Sequence, residues 1–401
     1  MSALYFYDDV RARQFEPFAL TRPVSELRAG TSLIRKRWER ATSFSSAGFI
    51  SSPHLANFEE GTAPPSVAPK SEIPAGSVIV NSRCVIPLDL KLDRFDLLMC
   101  EGMAAAVRLA RSMPVSQFAD GSIDLGSIQT SLGGKKIKGR WANEVWDFIG
   151  SLPEQLAEDI PHRAGSLELR TPLDATTVGK GQIFIEEGAE IGPQVVLDAS
   201  AGPILIRRGA VIAAFTHLMG PIAVGRDSQV LGDRVASSSI GDHCKVRGEF
   251  SNSIVLGHSN KGHAGFVGHS YLGRWVNLGA MTTTSNLKNT YGPVQLWTPS
   301  GMRDTGLQFL GTLFGDHAKT GIGTMLSTGT VIGAGANVIG ANMPPRVIPP
   351  FAWGDGEPYE TYDVTRFLVV AERVMSRRDV KLSDKARKQL GEAHKRRWSS
   401  S

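Results

Sequence analysis

Cysteine is scarce. Three residues in 401, Cys84, Cys100 and Cys244, have no C-x-x-C spacing and leave an odd thiol. Such a count supports neither a disulfide framework nor a cysteine zinc site, and it predicts a reducing, cytoplasmic setting. Long apolar runs are missing too: no stretch approaches the roughly 18 residues of a membrane span. The opening MSALYFYDDVRAR puts acidic residues after a short apolar run, not basic ones before it, which argues against a secretory signal. No membrane partner is expected. Glycine is absent before Gly30, so the glycine-rich loop that cradles phosphates after a first strand is missing. Histidines are present, nine of them, without a ligand motif such as H-E-x-x-H.

Positive charge is unevenly spread. The formal charge is +5 and the isoelectric point about 9.1. From Arg366 to Trp398 there are 11 Lys/Arg and 4 Asp/Glu, a net of +7, which leaves the rest of the chain at −2. A basic tail on helical spacing reads as solvated terminal helices, and nucleic-acid binding ranks last among the functions considered.

What is abundant is glycine. There are 43, and 28 of them lie between Gly179 and Gly340. In the same stretch apolar residues recur every sixth position: Phe314, Thr320, Leu326, Ile332, Val338, with Gly315, Gly321, Ser327 and Gly333 second and Ala318, Thr324, Thr330 and Ala336 fifth. Ile185, Ile191 and Leu197 form an earlier set, continued by Ile206, Ile212 and Leu218, then by Ile240, Leu272 and Leu278. A period of six suits neither a helix nor a simple alternating strand. A short strand and a sharp corner, repeated three times, close a triangular coil whose interior takes the aliphatic residue. The fifth residue must be small near the corner, and glycine relieves the turning backbone. Such coils bury a core only by stacking.

The chain therefore divides in three: an α/β domain over 1–165, a parallel β-helix over 166–345 and a C-terminal extension with basic helices over 346–401. In the first, LYFYD, SVIV and DLLM read as short buried strands, while Thr31–Ala41, Met103–Ser112 and Asn143–Asp159 have helical spacing. Alternation predicts a parallel-sheet, Rossmann-like layer structure. Asp363 and Ser383 are positioned to cap two terminal helices.

The segment NKGHAGFVGHSYLGRWVNLGAMTTTSNL, Asn260 to Leu287, resembles the acetyltransferase half of the bifunctional enzymes that make UDP-N-acetylglucosamine. TGLQFLGTLFGDHAKTGIGTMLSTGTVIG, Thr305 to Gly333, looks like archaeal members of that group, and Phe15 to Glu39 looks like the divergent nucleotidyltransferase-like domain of bifunctional relatives. The resemblance implies left-handed coiling, homotrimers with active sites between neighbouring prisms, and acetyl-CoA as co-substrate.

N-acetylation needs a neutral amine, a base for its proton and donors for the oxyanion. By the resemblance His263 is that base. Lys261, Asn277 and Asn286 fall at substrate-binding positions, while Gly279 and Ala280 lie where the pantetheine arm approaches backbone. Trp275 and Trp297 read either as signs of another acceptor or as packing at a trimer contact. Two positions depart from the family: Phe266 stands where an aromatic hydroxyl is expected, and no phosphate-holding lysine is evident near Ser251 and Asn252.

In the front half, Arg11, Arg13 and Arg22 are candidate phosphate partners, Arg28 belongs to the R-P-x-x-x-L-R pattern of the divergent group, and Asp8 and Asp9 are candidate Mg²⁺ ligands. At VIVNSR the usual metal aspartate is replaced, leaving Asn81 and Arg83. Structural salt bridges are the competing reading of these arginines. The expected function is acetyl transfer to an amino-sugar 1-phosphate, with nucleotidyl transfer as a second activity. A sugar-nucleotide sensor or scaffold with decayed sites is the rival.

Overall fold

The computed structural model describes residues 3–128, 134–170, 175–340, 342–356 and 358–398. The chain divides into two compact units, one running to Asp147 and including Leu382–Arg396, the other comprising Phe148–Lys381 and the residues after Arg396.

The first unit is built on a six-stranded sheet in the order Lys135–Lys136, Leu97–Cys100, Met103–Arg108, Val78–Asn81, Leu4–Tyr7, Ser46–Ile50. Leu4–Tyr7 is parallel to both neighbours, but Met103–Arg108 is antiparallel to both of its own, so the sheet is mixed and not the parallel layer expected. The helix expected at Met103–Ser112 is thus a strand. Its alanines favour helix in isolation. Glu101 and Gly102, with φ of 48° and 81°, make the two-residue turn that folds it back on Leu97–Cys100, and Ala104–Val107 are buried. Tertiary pairing overrides propensity here. The helix Ile34–Thr42 matches expectation. Asp384–Lys395 also forms, with Ser383 accepting from the Ala386 amide, and packs within this unit through Gln389, which donates to the Thr21 carbonyl.

In the second unit the chain winds into a three-sided parallel β-helix, consistent with the left-handed coil expected. Among the described residues two faces carry ten strands each and the other six, continued by Thr283–Thr284 and Met325–Leu326. Ile185, Leu197, Ile206, Ile212, Leu218, Ile240, Leu272, Leu278, Phe314, Leu326, Ile332 and Val338 line one continuous core. Stacking runs past 345, because Val347–Ile348 and Ala352–Gly354 extend two faces. Antiparallel strands close both ends, Leu169–Arg170 at one and Glu360–Thr361 at the other. Residues 285–311 leave the coil and form a hairpin, Gln295–Thr298 with Gly301–Asp304, before Thr312–Phe314 resumes the stack on Tyr271–Arg274.

One corner is unusual. Asp227, His243, His258, Trp275 and His317 occupy it in successive coils with φ between 54° and 63°, followed by Gly335 at 70° and Phe351 at 57°. Rings stack along it: His243 to His258 at 4.8 Å, His258 to Trp275 at 4.4 Å, Trp275 to His317 at 6.3 Å. Trp275 is 5% exposed, so its ring is taken up within the chain itself. The helix Val364–Ser376, capped by Asp363 as expected, docks on this corner through buried Phe367, which meets Phe351 at 4.9 Å and His317 at 5.7 Å. Among the described residues no helix is long and apolar enough to cross a membrane.

Candidate functional site

One face of the prism carries two-residue strands whose first residue points outward and second inward. The outward column runs Gln229, Lys245, Asn260, Asn277, Lys319, Asn337, and the inward one Val230, Val246, Lys261, Leu278, Thr320, Val338. A groove of about 730 Å³ lies over this face. It collects His263, Asn277, Gly279 and Ala280, four of the residues picked out from the sequence. His263 and Asn277 are exposed there.

Lys261 does not reach the groove. It is 1% exposed, at an interior position held by valine or leucine in the coils on either side. Its Nζ turns to the corner and donates to the carbonyl oxygens of His263 and Ala264. Burial pulls its pKa down to about 8, against a smaller opposing influence of Asp233. The expected substrate contact is thus a brace beneath His263. Asn286 lies outside the groove, with Nδ2 2.8 Å from His269 Nδ1. His269 stacks on Phe309 at 5.2 Å, and burial lowers its pKa to about 4.

Gly279 is needed for a reason other than ligand approach. A Cβ there would sit 2.4 Å from the Gly321 carbonyl oxygen of the next coil. The backbone of the stack by itself demands the glycine.

Sequence reasoning missed Lys245, Asn260, Lys319, Arg377 and Arg378, all of which line the groove. Lys319 stands opposite Asn277 in the next coil, but residues 285–311 interrupt the count that would have matched them. Its Nζ donates to the His317 carbonyl at 3.0 Å, and burial lowers its pKa to about 8. Arg377 and Arg378 follow the helix Val364–Ser376. Part of the basic tail, expected to be solvated, thereby meets the groove.

In the first unit three parallel strands end together at Asp8–Asp9, Ser51 and Asn81–Arg83, the kind of strand-end crevice where open sheets bind ligands. Asp8 is 2% exposed, accepts from Ser51 Oγ at 2.6 Å and the Val24 amide at 3.2 Å, and has the Ser82 hydroxyl as a further stabilising neighbour. Burial raises its pKa to about 6, against those hydrogen bonds. Burial also pushes Asp9 up, but Arg83 more than offsets it and holds the carboxyl below its ordinary value. Arg83 meets both Asp9 oxygens at 2.7 to 3.0 Å, and Asn81 Nδ2 adds a contact at 3.0 Å.

These aspartates do not fit a divalent cation as they stand, since a guanidinium already neutralises Asp9. Among the described residues no group of three or more His, Cys, Asp or Glu is arranged to hold a metal. The candidate phosphate arginines are engaged inside the unit. Arg13 clamps the carbonyls of Asp8, Phe118 and Ala119, and Arg22 forms a two-pronged pair with Glu60 at 2.9 and 3.1 Å. Arg11 reaches Asn143 at 3.3 Å, and Arg28 lies in the short pair Arg28–Ala29 with Ser32–Leu33.

Residues 4–166 match the sugar nucleotidyl transferase family model. About half of the chain resembles bifunctional GlmU proteins. That of Methanococcus vannielii is 29% identical over 216 residues, covering 53% of this chain and 46% of its own length. The Methanocaldococcus jannaschii protein is 29% identical over 210 residues, 50% of this chain and 45% of its own. The chain thus spans about half the length of the curated relatives it matches. A mutant of AntD, an N-acyltransferase from Bacillus cereus solved with dTDP and coenzyme A, aligns at 11% identity over 52% of this chain and 99% of that one, with a TM-score of 0.23. A score that low carries no inference.

Proposed function

We propose that the prism is an N-acetyltransferase that moves an acetyl group from acetyl-CoA to the amine of an amino-sugar 1-phosphate, in a sugar-nucleotide pathway of the cytoplasm, and that it works as a homotrimer. The observation that carries this reading is the exposed His263 on a groove beside Asn277, with its corner braced from below by Lys261. An imidazole suits the base role because its unperturbed pKa lies near neutrality. In the reaction the amine nitrogen attacks the thioester carbon, forming C–N as C–S breaks. His263 takes the amine proton, and the sulfur leaves as coenzyme A thiol after protonation. Asn277 and Lys319, adjacent in register, supply donors for the acceptor or the developing oxyanion.

The test is release of thiol from acetyl-CoA with glucosamine 1-phosphate. His263→Ala should lower turnover on the order of a hundredfold or more, while leaving acetyl-CoA binding intact. Equal turnover in the variant sinks the assignment.

A second reading applies to the first unit. Its match to sugar nucleotidyl transferases supports a nucleotide-related role, but the Arg83–Asp9 clamp favours binding without phosphoryl chemistry. No pyrophosphate release with UTP or dTTP and sugar 1-phosphates, together with nucleotide binding insensitive to chelator, is the result expected of a sensor.

A further inference from the structure

The groove lacks a counter-charge. Among the described residues Lys245, Lys319, Arg377 and Arg378 line it, and no aspartate or glutamate does. Four cations around one cavity focus a positive potential that favours an anion. The placement of the two arginines is fixed by packing. Phe367, Ala371 and Met375 bury one side of the helix that precedes them, and Phe367 sits against two rings of the corner. Arg378 then reaches across to the strand, where its Nη2 donates to Asn260 Oδ1 at 2.7 Å. Arg377, exposed, makes no ion pair among the described residues that would draw it away.

His263 follows Asn260 by three residues, at most about 11 Å along the chain. Along the axis, Lys245, Asn260, Asn277 and Lys319 occupy consecutive coils, so the outer pair is separated by three coil spacings, roughly 14 Å. A phosphate held by the arginines and a reacting group beside the imidazole therefore fit on one small molecule. Guanidinium forks suit phosphate oxygens, and lysines supply further point charges.

We infer that Arg377 and Arg378, with Lys245 and Lys319, form a phosphate-binding subsite of this groove, serving a phosphorylated small molecule whose reacting end lies at His263. Two substrates of the proposed reaction carry that chemistry, the acceptor through its sugar phosphate and the donor through its diphosphate. The inference concerns the same groove as the acetyltransferase reading but is tested by binding, so either can fail alone.

Calorimetry on the full chain compares glucosamine 1-phosphate with glucosamine, and coenzyme A with pantetheine, in the wild type and in Arg377→Ala/Arg378→Ala. The wild type should prefer at least one phosphorylated member, and the double variant should narrow that preference tenfold or more. The pair that responds identifies the source of the phosphate. Arg377→Lys/Arg378→Lys, which keeps both charges, should recover most of the preference, and all three proteins should melt alike. A wild type without phosphate preference, or a folded double variant with the preference undiminished, overturns the inference. A preference lost in the double variant in a protein that transfers no acetyl group upholds it and removes the enzymatic reading.

Discussion

The ammonium of Lys261 donates to the carbonyl oxygen of His263 at 2.5 Å from a position inside the prism. Neighbouring coils place Val246 and Leu278 at that level of the core. Burying a lysine there carries a desolvation cost, visible in its lowered pKa, and what it gains is control over the two carbonyls of the corner that presents the imidazole. Lys261→Met should keep stability within about 1 kcal/mol of the parent or raise it, since an apolar chain of similar volume suits the core. Turnover of the acetyl-transfer assay should fall on the order of tenfold to a hundredfold with little change in KM, because the corner is no longer held. Urea melts and steady-state kinetics read the two effects separately. Loss of stability with unchanged kcat would make Lys261 a plain core residue.

Gly279 and Gly391 predict opposite outcomes for the same substitution. Gly279→Ala drives a Cβ into the Gly321 carbonyl and should cost about 1–3 kcal/mol. Gly391 lies inside the helix Asp384–Lys395 with open space around it, so Gly391→Ala should add roughly 0.5–1 kcal/mol. Denaturant midpoints measure both.

Asp8 gives a pH signature. Its native pKa, near 6, lies above the ordinary carboxyl value, so between about pH 4 and 6 the folded chain binds the extra proton and stability falls as pH rises through that window. At pH 7 the charged, buried carboxylate is a net cost. Asp8→Asn should therefore stabilise the chain at pH 7, by at most about 3 kcal/mol, and the gain should vanish near pH 4. A gain that is the same at both pH values would contradict the buried-carboxylate account.

Arg83 and Asp9 form a pair that should be costly to break from one side. Arg83→Met leaves Asp9 without its guanidinium and should cost roughly 3 kcal/mol. The double change Arg83→Met/Asp9→Asn should recover part of that loss. A double-mutant cycle in urea measures the coupling, and additivity would mean that the clamp contributes nothing.

The prism was legible because its six-residue period writes interior, corner and turn directly into the order of residues. His263, Asn277, Gly279 and Ala280 fall within one short motif, so their convergence could be anticipated. Lys319 could not be aligned with them by counting, since the hairpin excursion shifts the register. Arg377 and Arg378 follow a helix whose docking depends on Phe367 meeting the rings of the corner, and no spacing in the chain announces it. The resemblance puts Lys261 at a substrate-binding position, whereas strand alternation points its side chain inward. In the first unit the Met103–Arg108 strand was hidden by alanines, and the Glu101-Gly102 turn was the signal that outweighed them. The clamp between Asp9 and Arg83 joins residues distant in sequence, and a lone aspartate pair reads as metal ligation until its cation is seen.

Tyr271–Arg274 and Thr312–Phe314 hydrogen-bond as adjacent layers although the chain between them makes a long detour. Axial continuity here does not require covalent continuity. Lengthening that detour should be thermodynamically mild, with each doubling of a flexible loop costing only about 0.6 kcal/mol. New sequence grafted between Ser300 and Gly301, at the tip of its hairpin, would hang outside the tower without unzipping the storeys above or below it.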